Sequence, residues 1–439
     1  MSFFPEIKNR VPYEGPSSKN PLAFKFYDAK KKVGGKTMAQ HLKFAVCYWH
    51  TFKGTGADPF GGGSLQREWN SGSPMEVAHK TMEAAFEFIS KLGVNYWCFH
   101  DRDIAPEGAT IAETNKQLAE MVEIAGVLQK STGIKLLWGT ANLFSHPRYT
   151  HGAATNPDPC VFAQAAAQVR RALDATVELG GTGYVFWGGR EGYTSLINTN
   201  LKQEREQLAA LMHMAVDYAK KIGFKGKFFI EPKPKEPSQH QYDFDAATAI
   251  GYLNEFGLAD HFAMNVEANH ATLATHSFEH DLVVASSAGK LGSLDINRGD
   301  QTCGWDTDQF PTNIYDAVAA MTVILKQGGL KYGGLNFDAK VRRGSFDTAD
   351  LFHGHIGGMD TFAKGLLIAD AMLRDGVLTE NIKTRYAGWK SPMGRKILGG
   401  KTSLPELEKW ADAQGEPPLI SGRQELLENI LNEYILGIR

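Results

Sequence analysis

The chain has 439 residues, with 47 Lys and Arg against 49 Asp and Glu, for a formal net charge of −2. That balance gives no electrostatic reason to expect nucleic acid or an anionic membrane as partner. The length supports a core that needs neither disulfides nor a structural metal, and the scattered Cys47, Cys98, Cys160 and Cys303 form no CxxC pair, which points to a reducing, cytoplasmic compartment.

The opening MSFFPEIKNR is polar and carries no signal-like apolar core, and no apolar run approaches the ~20 residues of a membrane-spanning helix. Residues 1–43 read as an amino-terminal extension. From Phe44 a strand-like run and an amphipathic helical stretch alternate. The runs, in chain order, are FAVCYW, NYWCFH, KLLWGTAN, GYVFWGG, KFFIEPK, FAMNVEANH, LGSLDIN and GGLNFDAK. The intervening helices are predicted to stop at Gly93, Gly133, Gly180, Gly223, Gly257, Gly289 and Gly328, where glycine takes the left-handed conformation without a Cβ clash. A last helix over roughly 351–374 completes the eighth unit.

Eight strands that read as near-continuous apolar runs and alternate with helices predict an α/β fold, a closed parallel (β/α)8 TIM barrel spanning 44–376. An open doubly wound sheet is the rival, but no strand-linked G-x-G-x-x-G or Walker loop supports it. FGGGS near Gly61 reads as a flexible loop. Residues 377–439 form an extended, amphipathic helical arm, too short for a second core. It either packs on its own barrel or embraces a neighbouring subunit, and the second reading is preferred.

In such barrels the chemistry sits at the carboxyl-terminal ends of the strands. The fifth run ends in Glu231-Pro-Lys233, the sixth in Glu267-Ala-Asn-His270, the seventh in Asp295-Ile-Asn297 and the eighth in Asn336-Phe-Asp338. GWDTDQFP adds Asp306 and Asp308, and the second run ends in His100-Asp-Arg-Asp103. Any one of these acids alone reads more simply as a turn or cap residue. Together, six carboxylates converge with Lys233 as the one obvious cation. Crowded like charges either protonate or bind cations, so a two-metal site is expected. Oxygen-dominated ligands with one imidazole and no thiolate suit Mg²⁺ or Mn²⁺, with Co²⁺ possible. Glu267 is expected at the last inward strand position. The chain is then expected to turn at Ala268-Asn269 and swing His270 back toward the second ion. Trp49, Trp138, Phe144 and Trp187 supply flat apolar walls of the kind that suit a sugar's C–H face.

FHD, GTANLFSHPRY, VFWGGREGY, IEPKPKEP, VEANHATLA, LGSLDINRGD with GWDTDQFP, and GGLNFDAKVRR together resemble the xylose (glucose) isomerase family over essentially the whole chain. The amino-terminal extension and WHTFKGTGADPFGGG resemble its longer class. QTC (Gln301 to Cys303), before GWDTD, departs from the family pattern without touching a ligand position.

The resemblance implies a metal-dependent aldose–ketose isomerase that opens the ring of xylose or glucose and shifts hydride between C2 and C1. It implies that Glu231, Glu267, Asp295 and Asp338 hold one divalent cation. Glu267, His270, Asp306 and Asp308 would hold a second. His100, oriented by Asp103, would serve ring opening, and Lys233 would hydrogen-bond the oxygen on C1. Trp49, Trp138, Thr140, Phe144 and Trp187 would line the substrate pocket. Phe60 would be donated into a neighbour's pocket within a homotetramer assembled by the carboxyl-terminal arm. Two other readings on the same scaffold are a metal-dependent nuclease or sugar epimerase, and a non-catalytic sugar-binding protein. Nucleases of this type need more histidine ligands and a basic groove. A binding protein would not require six carboxylates, Lys233 and the His100–Asp103 pair together.

Overall fold

A computed structural model of the chain describes residues 2–438. Eight parallel strands close into a barrel: β1 (Phe44–Cys47), β2 (Tyr96–His100), β3 (Lys135–Thr140), β4 (Gly183–Trp187), β5 (Lys227–Glu231), β6 (Phe262–Glu267), β7 (Leu291–Asp295) and β8 (Leu335–Phe337). Each pairs with its neighbours in chain order, and β8 closes on β1.

The main helix of each unit follows its strand: α1 (Pro74–Leu92), α2 (Ile111–Thr132), α3 (Pro159–Glu178), α4 (Leu201–Lys221), α5 (Ala246–Glu255), α6 (Phe278–Ser287), α7 (Ile314–Lys326) and α8 (Thr348–Asp375). Their N-cap residues are Ser73, Thr110, Asp158, Asn200, Asp245, Ser277, Asn313 and Asp347, and the side-chain oxygen of each of the first seven takes up an otherwise orphaned first-turn N–H group. The seven predicted glycine stops all have φ between +66° and +90°.

The strands bury both faces. Phe228 and Ile230 pack outward in the large cluster shared with the helices, while Phe229 between them joins Ala45, Cys98, Trp138, Val185 and Ala263 in the barrel interior. A Cβ at Gly183 would lie 2.5 Å from the Phe229 ring, and one at Gly292 would overlap its other edge. The two glycines leave the space that this one large inward side chain fills.

β1 is shorter than the expected FAVCYW run. It ends at Cys47, and Trp49–Lys53 forms a π-helical turn instead of continuing the strand. Such a turn re-aims consecutive side chains, and Trp49 and His50 both line the barrel mouth. The amino-terminal segment packs into the outer core through Phe4, Ile7, Phe24 and Tyr27. It is anchored where the Asp360 carboxylate accepts the N–H groups of Lys25, Phe26 and Tyr27, each at 2.8 Å. Beyond α8 the chain forms helices Val377–Arg385, Pro392–Leu398, Leu404–Gln414 and Gln424–Ile435. The last packs Ile430 and Tyr434 against Val318, Ile368 and Met372 of its own barrel. Leu398, Leu404, Leu419 and Ile420 before it are exposed.

Replacing Gly292 by Ala forces a methyl into Phe229. The expected result is a loss of about 1–3 kcal/mol, the usual range for overpacking, read as a lower denaturant midpoint. An unchanged midpoint would show that the interior has room the packing does not suggest.

Candidate active site

Strand register brings the acids together. Glu267 at the end of β6 is paired with Asp295 at the end of β7, and Asp295 with Asn336 on β8. Residues two apart on a strand face the same way. Asn265 and Glu267, and Asn336 and Asp338, therefore repeat one motif: an amide and an acid in successive inward layers. The amides hold the acids. Asn265 Nδ2 donates to Glu231 Oε2 at 3.1 Å and Asp295 Oδ2 at 2.7 Å, and Asn336 Nδ2 donates to Asp295 Oδ1 at 2.8 Å. Asn297 Nδ2 donates to Glu267 Oε1 at 2.7 Å.

The segment after Glu267 corrects the sequence expectation. There is no turn at Ala268-Asn269: a six-residue helix, Ala268–Leu273, starts directly at the strand end with Glu267 as its N-cap. Helical geometry places residues three apart on one side. It brings His270 Nε2 to 3.2 Å from Glu267 Oε2 and 3.1 Å from Asp306 Oδ2. An E-x-x-H that straddles a strand–helix junction thus meets both requirements that a strand alone could not.

These groups line a cavity of about 280 Å³ together with Trp49, His50, His100, Trp138, Thr140, Phe144, Trp187, Lys233 and Lys340. Asp295 lies fully buried beneath it, and Asp103 stands behind His100, accepting from His100 Nδ1 at 2.8 Å. Trp49 sits 4.3 Å from the His100 ring and 5.5 Å from Trp138, and Phe144 meets Trp187 edge-on at 4.5 Å. Thr140 Oγ1 donates to the Val185 carbonyl at 2.6 Å. Lys233 Nζ donates to Asp306 Oδ2 at 2.7 Å and lies 5.3 Å from the Trp187 ring centroid. Phe60 is not in this cavity; its side chain is 98% exposed, in the loop tied by the Arg343–Asp58 ion pair.

The cation count in the sequence reading was too low. Lys340 Nζ donates to Asp308 Oδ2 at 2.7 Å. His50 Nε2 lies 3.2 Å from Asp308 Oδ2 and 3.0 Å from Asp338 Oδ1. His50 follows Trp49 at the end of β1, so the rule that strand ends carry the chemistry could have found it. The roles of Asn265, Asn297 and Asn336 were readable from their two-residue offset from the acids.

The electrostatics follow from burial and crowding. Burial and the neighbouring Asp295 and Asp338 raise Glu231 well above the ordinary carboxylate range. Burial, Asp306 and Asp338 do the same to Glu267. Burial and Asp338 push Asp295 up to about 7. Burial would also raise Asp308, but His50 and Lys340 outweigh it and hold Asp308 well below the usual range. Burial would lower His50, but Asp338 and Asp308 outweigh it and raise His50 to about 9.

Among the described residues, three overlapping groups in this cavity present ligand atoms within 4.8 Å of one another: Glu231, Glu267 and His270; Glu231, Glu267, Asp295 and Asp338; and Glu267, Asp306 and Asp308. Glu267 belongs to all three. Carboxylates crowded without enough protein cations, braced by amide donors and lacking any thiolate, fit hard divalent ions.

A family model described as the XylA2 C-terminal domain matches residues 382–435. A xylose isomerase of Geobacillus kaustophilus is 56% identical over 438 residues, covering 100% of this chain and 98% of that protein. One from Thermotoga sp. (strain RQ2) is 56% identical over 437 residues, covering 99% and 98%. Xylose isomerase 2 of Xanthomonas campestris pv. campestris is 58% identical over 434 residues, covering 99% and 97%. Among solved structures, the 3-keto-D-glucoside 4-epimerase YcjR of E. coli superposes with a TM-score of 0.50 at 15% identity, covering 73% of this chain and 99% of that one. That likeness concerns the fold alone.

Glu231, Glu267 and Asp295 keep their protons in the folded state at pH values where the unfolded chain has released them. Stability of the chelator-treated protein is therefore expected to fall between pH ~4 and ~7, by roughly 1.4 kcal/mol per pKa unit per group at most. With Mn²⁺ present the fall should vanish or reverse, because the ion competes with those protons. Denaturant midpoints across that range test this; identical slopes with and without Mn²⁺ would contradict it.

Proposed function

Because the chain belongs to the xylose isomerase family, we propose that it interconverts D-xylose and D-xylulose, and D-glucose and D-fructose, using two divalent cations per subunit. The observation that carries the metal count is charge. Glu231, Glu236, Glu267, Asp295, Asp306, Asp308 and Asp338 face three cations, Lys233, Lys340 and a protonated His50, and the four uncompensated negative charges match two divalent ions. Glu231, Glu267, Asp295 and Asp338 would hold the first, and Glu267, His270, Asp306 and Asp308 the second. Mg²⁺, Mn²⁺ and Co²⁺ all suit such a donor set. Bound there, the ions supply Lewis-acid polarisation of the substrate's oxygens.

The side chains do the rest. His100 donates Nδ1–H to Asp103, which leaves Nε2 bare. It can take the proton of the sugar's O1 hydroxyl as the C1–O5 ring bond breaks, and return that same proton to O5. The indoles of Trp49 and Trp187 and the ring of Phe144 hold the open chain's apolar faces and exclude water. Lys233 Nζ keeps donor capacity beyond its bond to Asp306 and would bond the carbonyl oxygen at C1. The isomerisation moves a hydride from C2 to C1 and a proton from O2 to O1. An enediol route needs a free carboxylate beside the C2–H bond, but each mouth carboxylate is already engaged. Asn265 holds Glu231 and Asp295, and Asn297 holds Glu267. Lys233 holds Asp306, Lys340 holds Asp308, Trp49 Nε1 holds Asp338 at 2.8 Å, and Glu236 accepts the Asp306 N–H at 2.9 Å and lies 3.3 Å from Lys233 Nζ.

The exposed Phe60 and the apolar side chains between Leu398 and Ile420 support a homotetramer in which Phe60 closes a neighbour's pocket. Four free cysteines, two of them buried, support a reducing cytoplasm.

Protein stripped by chelator should convert xylose to xylulose only after Mg²⁺, Mn²⁺ or Co²⁺ is restored; full turnover without metal would refute the proposal. Lys233→Ala should lower kcat on the order of 10²-fold or more while metal affinity stays near that of the parent. Sedimentation should show an assembly, and Phe60→Ala should raise KM within an intact assembly. A fully active monomer would exclude the shared pocket.

A further inference from the structure

Among the described residues, one further group of three imidazole and carboxylate side chains outside the barrel mouth brings its ligand atoms together. His276 precedes Ser277, the N-cap of α6, and His280 and Asp281 lie in the first turn of that helix. The four-residue spacing stacks the two imidazoles side by side, ring centroids 4.4 Å apart. His276 Nδ1 lies 3.1 Å from Asp281 Oδ1. One ligand atom from each of the three residues falls within 4.8 Å of the others. Asp281 is buried, with a side chain only 6% exposed, whereas His280 is open to solvent.

We propose that His276, His280 and Asp281 bind a borderline transition-metal ion, Zn²⁺ in the first instance, separate from the hard-cation site in the barrel. Two imidazoles and one carboxylate are a donor set that Zn²⁺ takes readily and Mg²⁺ does not. The buried, fixed Asp281 provides the rigid part of the site, and the exposed His280 gives the ion access from water. A second carboxylate stands behind the first imidazole. Asp245, the N-cap of α5, accepts the Thr248 N–H through Oδ1 at 2.7 Å, and its Oδ2 lies 3.9 Å from His276 Nε2. At 3.9 Å the two do not hydrogen-bond, but the carboxylate stands on the side of the ring from which an outer acid orients a ligating histidine. The amino-terminal end of α6 carries a partial positive charge that opposes a cation; Asp281 and Asp245 supply the negative charge that offsets it. A bound ion would tie the amino-terminal turn of α6 to the segment that follows the helix carrying His270.

The test is equilibrium dialysis of the full chain, saturated with Mg²⁺, against buffered Zn²⁺, followed by metal quantification. The parent is expected to retain one more Zn²⁺ per chain than His280→Gln, and likewise one more than Asp281→Asn. Equal retention by the parent and a folded variant overturns the site. His280 is exposed, so His280→Gln keeps the test usable if Asp281→Asn does not fold; unfolding in chelator monitored by circular dichroism verifies each variant. The readout is a difference between proteins with the same barrel mouth, so it does not depend on how many ions the mouth holds.

Discussion

Mutual repulsion among buried carboxylates is the constraint on which the rest of this structure depends. β6, β7 and β8 end in register, and β5 brings Glu231 beside them. Parallel pairing leaves the acids no way to spread apart. The protein meets the repulsion in three ways: proton retention on Glu231, Glu267 and Asp295, local cations at Asp306 and Asp308, and amide donors on Glu231, Glu267 and Asp295. The retained protons are what a divalent ion must displace. The amides and lysines are already in place, so the site is pre-organised for ions and does not have to collapse around them.

The aromatic wall and the charged floor are products of the same barrel geometry. A π-helical turn after β1 places Trp49 above His100 and puts its Nε1–H on Asp338, so one indole serves both wall and floor. Lys233 connects them in the same way, through the Trp187 face and the Asp306 carboxylate. Substitutions in the wall should therefore disturb charge placement as well as substrate fit, and the two effects will not be additive.

Most of this was legible in the residues. Glycine stops and doubly apolar strands carry their own physical reasons, and the order of strands and helices follows from them. The convergence of Glu231, Glu267, Asp295 and Asp338 follows once strand ends are known to share one mouth. Local periodicity could not show that Glu267 and His270 straddle a strand–helix junction, because FAMNVE and ANHATL each satisfy a different period and the boundary falls between them. Lys340 was missed because its role depends on a contact with Asp308 across the barrel, which no spacing in the chain records, whereas His50 stands next to Trp49, where the strand-end rule applies. Phe60 stays outside its own chain's cavity, and the role proposed for it requires a second subunit.

The crowded carboxylates are proposed to form two ion sites that share Glu267. Anomalous diffraction from crystals grown with Mn²⁺ tests this directly. Two peaks per subunit are predicted, one among Glu231, Glu267, Asp295 and Asp338 and the other beside Glu267, His270, Asp306 and Asp308. A single peak in the mouth, or two that share no ligand, would contradict it.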